Sequence, residues 1–127
     1  MTQHRRTRTE DYLAAIASSC EKSGQDRATT GDVASLTGVA KGTASSVLKE
    51  LAEHGLVDLV PYDGVSLTEP GRQRLASSLG RLRLIEAFLA RTLNLSGDDL
   101  ANEAWLLEPA VSANLMRRIR DAVDSPS

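Results

Sequence analysis

Apolar residues recur in the first part of the chain with the period of an α-helix. The repeating positions are Leu13, Ile16, Ala17 and Cys20. Their i, i+3, i+4, i+7 spacing predicts an amphipathic helix that is capped by Thr9 and ends at Gly24. The same spacing places Cys20 on the buried stripe, where we expect a core side chain rather than a reactive thiol.

Two shorter helical patterns follow, separated by a tight turn at Gly38-Val39. The first has Thr30 as its predicted N-cap and directs Val33, Ala34 and Leu36 inward. The second runs from about residue 41 to residue 54 and stops at a glycine. Its apolar positions are Ala44, Val47, Leu48 and Leu51. Two short helices around a glycine-containing turn are typical of a helix-turn-helix.

The apolar period then changes from 3.6 residues to 2. Val57 and Leu59 alternate with Asp58 and Val60. In the same way, Val65 and Leu67 alternate with Ser66 and Thr68. The segment 61–64, Pro-Tyr-Asp-Gly, lies between them, and Asp-Gly between alternating segments is a strong hairpin signal. A helix-turn-helix followed directly by a β-hairpin predicts a winged helix.

The second half of the chain reads as helical throughout. A long helix begins near Thr68-Glu69-Pro70 and continues to residue 93, since proline is tolerated in a first turn. Ser96 with Asp99 resembles a capping box that begins another helix, and Ser112 begins the last one. The predicted fold is mainly α with a small β-hairpin wing. We divide it into a flexible basic arm (1–8), a winged helix-turn-helix domain (9–70) and a helical dimerisation domain (71–123), since so small a chain has two surplus apolar faces.

Composition excludes several classes of protein. The chain has 127 residues, a formal net charge of −2 and a single cysteine, so it holds no internal disulfide or cysteine-based zinc site. It has no apolar run of the roughly 20 residues that span a bilayer, and we expect a cytoplasmic protein without a membrane partner. It has no phosphate-binding glycine loop, nucleophile–histidine–acid set or HExxH motif, so we do not expect an enzyme.

The distribution of charge along the chain is compatible with a basic face, although the net charge is negative. Five arginines and a single acid, Glu86, lie between residues 72 and 91, and the basic arm precedes the first helix. On the second helix of the helix-turn-helix, small hydroxyl and lysine side chains lie opposite the apolar stripe, and Gly42 allows close backbone approach. We expect the wing tip to lie against the flanking DNA backbone or minor groove. The candidate DNA-binding residues are Arg5, Arg6, Arg8, Thr30, Lys41, Gly42, Thr43, Ser45, Ser46, Lys49 and Tyr62.

Five stretches of the chain together resemble the diphtheria-toxin-repressor and manganese-transport-regulator family of winged-helix regulators. They are residues 9–13 (TEDYL), 52–57 (AEHGLV), 62–72 (YDGVSLTEPGR), 83–89 (RLIEAFL) and 102–104 (NEA). The resemblance covers residues 9 to about 119 and matches the two-domain form. It implies a homodimer that binds a palindromic operator in double-stranded DNA and, in typical members, a manganese or iron(II) co-repressor.

The metal ligands that the resemblance implies are largely missing. Asp11 occupies the ligand position of the first helix, but the carboxylate position one turn along is Ala14. The long helix keeps Glu86 at one ligand position, but Leu82 stands where the family has a histidine. Of the ligand set on the helix near residue 105, only Glu108 remains. Former ligand positions that are now apolar are Leu82, Ala101, Trp105 and Pro109. We therefore expect no cofactor, with Trp105 and Leu82 packed where ligands would lie. We also expect Asp11, Glu86 or Glu108 to pair with nearby arginines.

Three alternatives remain at this stage. The first is a repressor that depends on Mn or Fe(II) bound at a remodelled site. The second is a winged-helix module that binds protein, which the acidic net charge and the uncapped start of the second helix at Ala40 favour. The third is a regulator with a small-molecule pocket near Trp105.

Overall fold

The computed structural model describes residues 7–125. Within that range it contains six α-helices, two strands and a short 3₁₀ helix. In chain order these are α1 (Thr9–Ser23), α2 (Thr30–Thr37), α3 (Lys41–Glu53), β1 (Val57–Val60), β2 (Gly64–Leu67), α4 (Glu69–Leu93), α5 (Gly97–Leu107), the 3₁₀ helix (Glu108–Ala110) and α6 (Ala113–Asp124). The chain forms two compact units that divide between Leu75 and Ala76, inside α4. The predicted fold class is confirmed: a winged helix-turn-helix precedes a helical region.

Two of the predicted helix caps are wrong by one residue. The N-cap of α1 is Arg8, not Thr9, and the Asp11 carboxylate accepts the Arg8 N–H at 2.8 Å. The N-cap of α2 is Thr29, not Thr30, because the Thr29 hydroxyl oxygen accepts the N–H of Asp32 at 3.0 Å. In both cases the cap has extended backbone angles and the predicted residue already lies inside the helix.

The core of the first unit is built from α1, the helix-turn-helix and the hairpin. Its fully buried residues include Leu13, Ile16, Val33 and Leu48. Leu36, which we predicted to point inward, is 48% exposed. The reason is geometric, since Leu36 lies two residues beyond Ala34 and therefore about 200° around the helix from it.

The two strands pair antiparallel with Val57 opposite Leu67 and Val60 opposite Gly64. A further bridge joins Ala28, just before α2, to Val65 of β2. The two N–H···O bonds of this bridge measure 2.8 and 2.9 Å. The wing is therefore hydrogen-bonded to the segment that leads into the helix-turn-helix as well as within itself.

Thr68 joins the end of the wing to the start of α4. Its hydroxyl donates to the Gly55 carbonyl at 2.6 Å and accepts the Gly71 N–H at 3.2 Å. Its own N–H donates to the Leu56 carbonyl. One side chain thus fixes the first turn of α4 against the end of α3.

The second unit has its own apolar core between α4, α5 and α6. Buried members are Ile85, Leu89, Ala104, Met116 and Ile119. Ser112 caps α6 as predicted, accepting the Leu115 N–H at 3.1 Å. Ser96 is the N-cap of α5, but its hydroxyl accepts no hydrogen bond from the helix, whose first residue, Gly97, has φ +59°. No helix in residues 7–125 is both long enough and apolar enough to cross a membrane.

Candidate nucleic-acid interface

Helix α3 presents a polar face to solvent and an apolar face to the core. Ala44, Leu48 and Leu51 are buried. On the opposite face Lys41, Gly42, Thr43, Ser46 and Lys49 are exposed, and Ser45 is half-buried. This exposed face carries two cations, three hydroxyl groups and a glycine, side chains suited to phosphates and base edges.

A tight turn sets the start of α3. Gly38 ends α2 in the left-handed region (φ +75°), and its N–H donates to the Ala34 carbonyl at 2.9 Å. The N-cap of α3, Ala40, makes no side-chain cap bond, as its sequence position indicated. The first amides of α3 therefore lack a side-chain acceptor, and Lys41 lies in the same turn.

Thr30 and His54 lie outside the exposed face of α3. Thr30 is half-buried in the first turn of α2. His54 is the C-cap of α3, and its Nδ1 lies 2.8 Å from the Glu50 carbonyl oxygen, a favourable place for an imidazole at a helix C-terminus.

The wing tip projects a single aromatic side chain. Tyr62 is 108% exposed and has φ +67°. The Asp63 N–H donates to the Val60 carbonyl at 3.1 Å and closes the turn. At Gly64 a β-carbon would lie 2.4 Å from the Ala28 carbonyl oxygen, so only glycine fits where the wing meets residue 28.

An arginine that sequence reasoning missed braces the wing. The Arg27 guanidinium makes an ion pair with Asp58 of β1 (Nη2 to Oδ2, 2.6 Å). Its Nη1 also donates to the main-chain carbonyls of Asp58 at 3.0 Å and Gly64 at 3.4 Å. No local pattern marks residue 27, because its partners lie more than 30 positions along the chain.

Most of the arginines that suggested a basic face are engaged within the protein. Arg72 pairs with Glu69 and Arg74 with Glu10, each at 3.0 Å. Arg91 donates to the Val123 carbonyl. Of the five arginines between 72 and 91, Arg83 alone makes no hydrogen bond or ion pair with the residues that the structure describes. In the arm, Arg8 is the cap of α1, whereas Arg5 and Arg6 lie outside the described residues.

The three carboxylates that the sequence analysis placed at ligand positions have distinct surroundings. Asp11 is half-buried in α1, accepts the Arg8 N–H, and precedes the half-buried Ala14 by one turn. Glu86 is half-buried in α4 and makes no hydrogen bond or ion pair within residues 7–125. Glu108 begins the 3₁₀ helix and pairs with Arg81.

The four apolar residues that the sequence analysis placed at ligand positions divide into two kinds. Trp105 is buried, and Leu82 packs against the core of the second unit. Ala101 and Pro109 are exposed.

Arg81 is the main polar link in the second unit. Its Nε donates to Glu108 Oε1 at 3.0 Å, and its Nη2 donates to the carbonyls of Glu108 at 2.8 Å and Val111 at 2.9 Å. The Arg81 and Glu108 side chains are largely buried, with 28% and 14% of their surface exposed, respectively. The guanidinium therefore supplies a fixed positive charge and three donors to the end of α5 and the segment that follows.

The described residues contain no group of three or more histidine, cysteine, aspartate or glutamate side chains placed to hold a metal ion. His54, the imidazole among residues 7–125, is the cap of α3 described above. His4 lies outside the described residues.

Burial raises the pKa of two titratable groups of α1. Burial, and after it the charge of Asp11, raises the pKa of the Tyr12 phenol. Burial, followed by the charge of Asp26, raises the pKa of the Cys20 thiol, which is half-buried against the core. A raised pKa leaves less thiolate, the reactive form, at neutral pH.

These features define a winged-helix DNA-binding protein: a helix-turn-helix with an exposed polar second helix, and a braced hairpin beside it. Two family models match the chain: "Iron dependent repressor, N-terminal DNA binding domain" over residues 5–65, and "Iron dependent repressor, metal binding and dimerisation domain" over residues 68–127. The chain belongs to the iron-dependent repressor family, whose members are transcriptional regulators and not enzymes.

Individual relatives agree with this assignment. The transcriptional regulator MntR of Escherichia coli O6:H1 is 32% identical over 117 residues, which cover 92% of this chain and 74% of MntR. An uncharacterised HTH-type transcriptional regulator of Methanocaldococcus jannaschii is 30% identical over 111 residues, covering 87% and 88% of the two chains.

Solved structures share the fold as well. A manganese-dependent transcriptional repressor in complex with manganese is 38% identical with a TM-score of 0.75, and the match covers 92% of this chain and 53% of that one. The manganese regulator SloR is 32% identical with a TM-score of 0.77, covering 96% and 56%. The chain thus spans about half the length of these two structures.

Proposed function

We propose that this protein is a homodimeric regulator that binds a palindromic operator in double-stranded DNA and does so without manganese or iron(II). The observation that carries the DNA-binding part is the exposed face of α3. In a helix-turn-helix the second helix enters the major groove and its N-terminal residues reach base edges. Lys41, Thr43 and Ser46 occupy those positions here, and Lys49 lies one turn further on.

A homodimer supplies the symmetry that a palindromic site requires. Two helix-turn-helix units read two half-sites about one turn of DNA apart. Several leucines of the second unit remain exposed in the single chain, which favours a further apolar interface. They are Leu79, Leu93, Leu106, Leu107 and Leu115.

The proposal of metal independence rests on the side chains that are available as metal ligands. A solved relative at 38% identity contains manganese, and the second family model is named for metal binding. Manganese and iron(II) sites are built from oxygen donors and imidazole, and imidazole favours iron over magnesium. At the corresponding positions this chain has three carboxylates, Asp11, Glu86 and Glu108, among apolar side chains. No imidazole lies among these three, and residues 7–125 contain no group of three or more such side chains placed to hold a metal ion, which supports metal independence.

Arg81 supports the same conclusion. Its guanidinium already neutralises the Glu108 carboxylate through a hydrogen bond to Oε1, and a metal ion at this carboxylate would compete with that permanent cation. We therefore assign to Arg81 the neutralising role at Glu108, with a charge that does not depend on metal supply.

The test is selection of bound duplexes from a random DNA library in the presence of a chelator, followed by binding isotherms at several salt concentrations. We expect an enriched inverted repeat whose affinity is the same in chelator and in manganese or iron(II). Lys49→Ala should weaken binding and reduce the slope of log affinity against log salt by about 1. Lys22→Ala, an exposed lysine of α1, is the matched control and should leave that slope unchanged.

Two other results would contradict this proposal in different ways. Enrichment only after manganese or iron(II) is added would show a metal-dependent repressor with a remodelled site. No enrichment in either condition would contradict DNA binding itself and favour a module that binds protein.

A further inference from the structure

Two adjoining cavities form a groove between α1 and α2, and Leu36 lines both of them. Each has a volume of ≈ 330 Å³, within the range of roughly 300–1,000 Å³ in which proteins bind small molecules. Leu36 is 48% exposed, so an apolar side chain lies uncovered along the groove. Among the described residues, the charged side chains that line it are Asp11, Lys22 and Asp32. The groove therefore combines an apolar surface with charges of both signs.

Helical spacing places these charges at the two ends of the groove. The hydroxyl of the buried Ser19 donates to Asp32 Oδ2 at 3.3 Å, so Asp32 of α2 lies beside Ser19 of α1. Lys22 follows Ser19 by one turn on the same face of α1. Asp11 precedes Ser19 by eight residues, a rise of about 12 Å along the helix. One end of the groove therefore has a carboxylate and an ammonium group, and the other end has a second carboxylate.

The end of the groove at Asp11 can accept further hydrogen bonds. Asp11 Oδ2 accepts the Arg8 N–H at 2.8 Å, and a carboxylate has about four lone-pair sites, so this bond leaves capacity for a ligand. Ser18 lines the same cavity and is half-buried, and its hydroxyl makes no hydrogen bond with the residues that the structure describes. A carboxylate beside a hydroxyl suits an ammonium group, which has three donors and no acceptor.

From this arrangement we infer that the groove binds a free basic amino acid, of which lysine is the simplest. The α-ammonium group pairs with Asp32 and the α-carboxylate with Lys22. The methylene chain covers Leu36, and the terminal ammonium group pairs with Asp11. The charges are complementary, since the groove has two carboxylates and one ammonium group while lysine has two ammonium groups and one carboxylate. This inference goes beyond the proposed function, because it adds a ligand whose binding does not require DNA.

The first test is calorimetric titration of the full-length protein with L-lysine, in a chelator and without DNA. Two analogues separate the contacts: norleucine has no terminal ammonium group, and 1,5-diaminopentane is lysine without its carboxylate. We expect lysine to bind and each analogue to bind at least about 10-fold more weakly, since each loses one charge-assisted contact. Saturating lysine should also raise Tm by a few degrees above an equal concentration of sodium chloride, because the ligand binds the folded state.

A pair of matched variants locates the ligand. Asp11→Asn keeps the shape of the side chain and an acceptor for the Arg8 N–H but removes the charge. It should weaken lysine by about 10-fold and leave norleucine unchanged. Asp99→Asn is the control, because Asp99 is the third residue of α5 as Asp11 is of α1, and it lies in the second unit. This variant should bind lysine as wild type does.

Several outcomes would overturn the inference. The absence of both heat and a rise in Tm with lysine would exclude the site. If 1,5-diaminopentane binds as tightly as lysine, the contact of the carboxylate with Lys22 is wrong and the groove binds diamines. If Asp11→Asn binds lysine as wild type does, or if Asp99→Asn weakens it equally, the ligand does not lie in this groove. None of these assays contains DNA, so their results are independent of whether the protein binds an operator. The DNA assays contain no amino acid, so Lys22→Ala remains a control there.

Discussion

Arg81 of α4 holds both the carboxylate and the main-chain carbonyl of Glu108, at 3.0 and 2.8 Å. The third hydrogen bond of the guanidinium, to the Val111 carbonyl, spans the 3₁₀ helix. Carbonyls at the end of a helix lack intrahelical partners, so this arrangement satisfies two of them and neutralises a largely buried carboxylate at once.

Replacement of Arg81 should therefore destabilise the protein. Arg81→Met removes three hydrogen bonds and leaves Glu108 without its counter-charge, and we expect a loss of about 1–3 kcal/mol in the free energy of unfolding. Arg83→Met is the matched control on the same helix, since Arg83 is exposed, and it should change stability by less than about 0.5 kcal/mol. Urea titrations measure both. Equal stability of the two variants would show that the Arg81 bonds are not formed in solution.

Two glycines of α4 should respond in opposite ways to alanine. A β-carbon at Gly71 would lie 2.0 Å from the Leu56 carbonyl oxygen, whereas one at Gly80 would meet nothing within 4 Å. Gly71→Ala should force α4 away from the end of α3 and destabilise the protein by about 2 kcal/mol or more. Gly80→Ala should stabilise it by roughly 0.5–1 kcal/mol, because alanine is the better helix former. Thermal unfolding of both variants measures the contrast, and a stable Gly71→Ala protein would contradict the close approach.

The Arg27–Asp58 brace should stiffen the wing more than it stabilises the whole protein. Asp58 is largely exposed, so the ion pair is partly screened, and we expect Arg27→Met to cost about 1 kcal/mol. Amide hydrogen exchange of Asp58 and Val65 should become faster in this variant. Arg72→Met, which removes the exposed pair with Glu69, is the control and should leave those amides as they are. Unchanged exchange in Arg27→Met would show that the hairpin holds its shape alone.

Stability should fall in alkaline solution through Cys20 and Tyr12. Burial raises the pKa of both groups in the folded protein, so the folded state keeps its proton over a range in which the unfolded chain has lost it. The free energy of unfolding then decreases as pH rises above the unfolded pKa, about 8.5 for cysteine and about 10 for tyrosine, and does not depend on these groups below it. Cys20→Ala should remove the loss of stability that begins near the unfolded pKa of cysteine, about 8.5. Tyr12→Phe should remove only the loss that begins near the unfolded pKa of tyrosine, about 10. Urea titrations between pH 7 and 11 test this, and identical profiles in all three proteins would contradict it.

Most of the elements could be predicted from local patterns. The i, i+3, i+4, i+7 spacing of Leu13 and Ile16, and the change to period 2 at Val57, identified the winged helix because both describe which side chains one face buries. The caps at Thr9 and Thr30 were wrong because neighbouring polar residues compete for one cap, and only the backbone path decides between them.

The candidate interface also has features that the sequence predicted and features that only the tertiary structure showed. The sequence by itself determined the polar face of α3, since the apolar stripe of Ala44 and Leu48 leaves Lys41, Ser46 and Lys49 nowhere but outside. Only the tertiary structure decided that Arg27 braces the wing, that Arg81 neutralises Glu108, and that Arg74 pairs with Glu10. These bonds join residues 27 to 64 positions apart, and no local period encodes such a pairing. A face is a property of one element, whereas a partner depends on how elements pack.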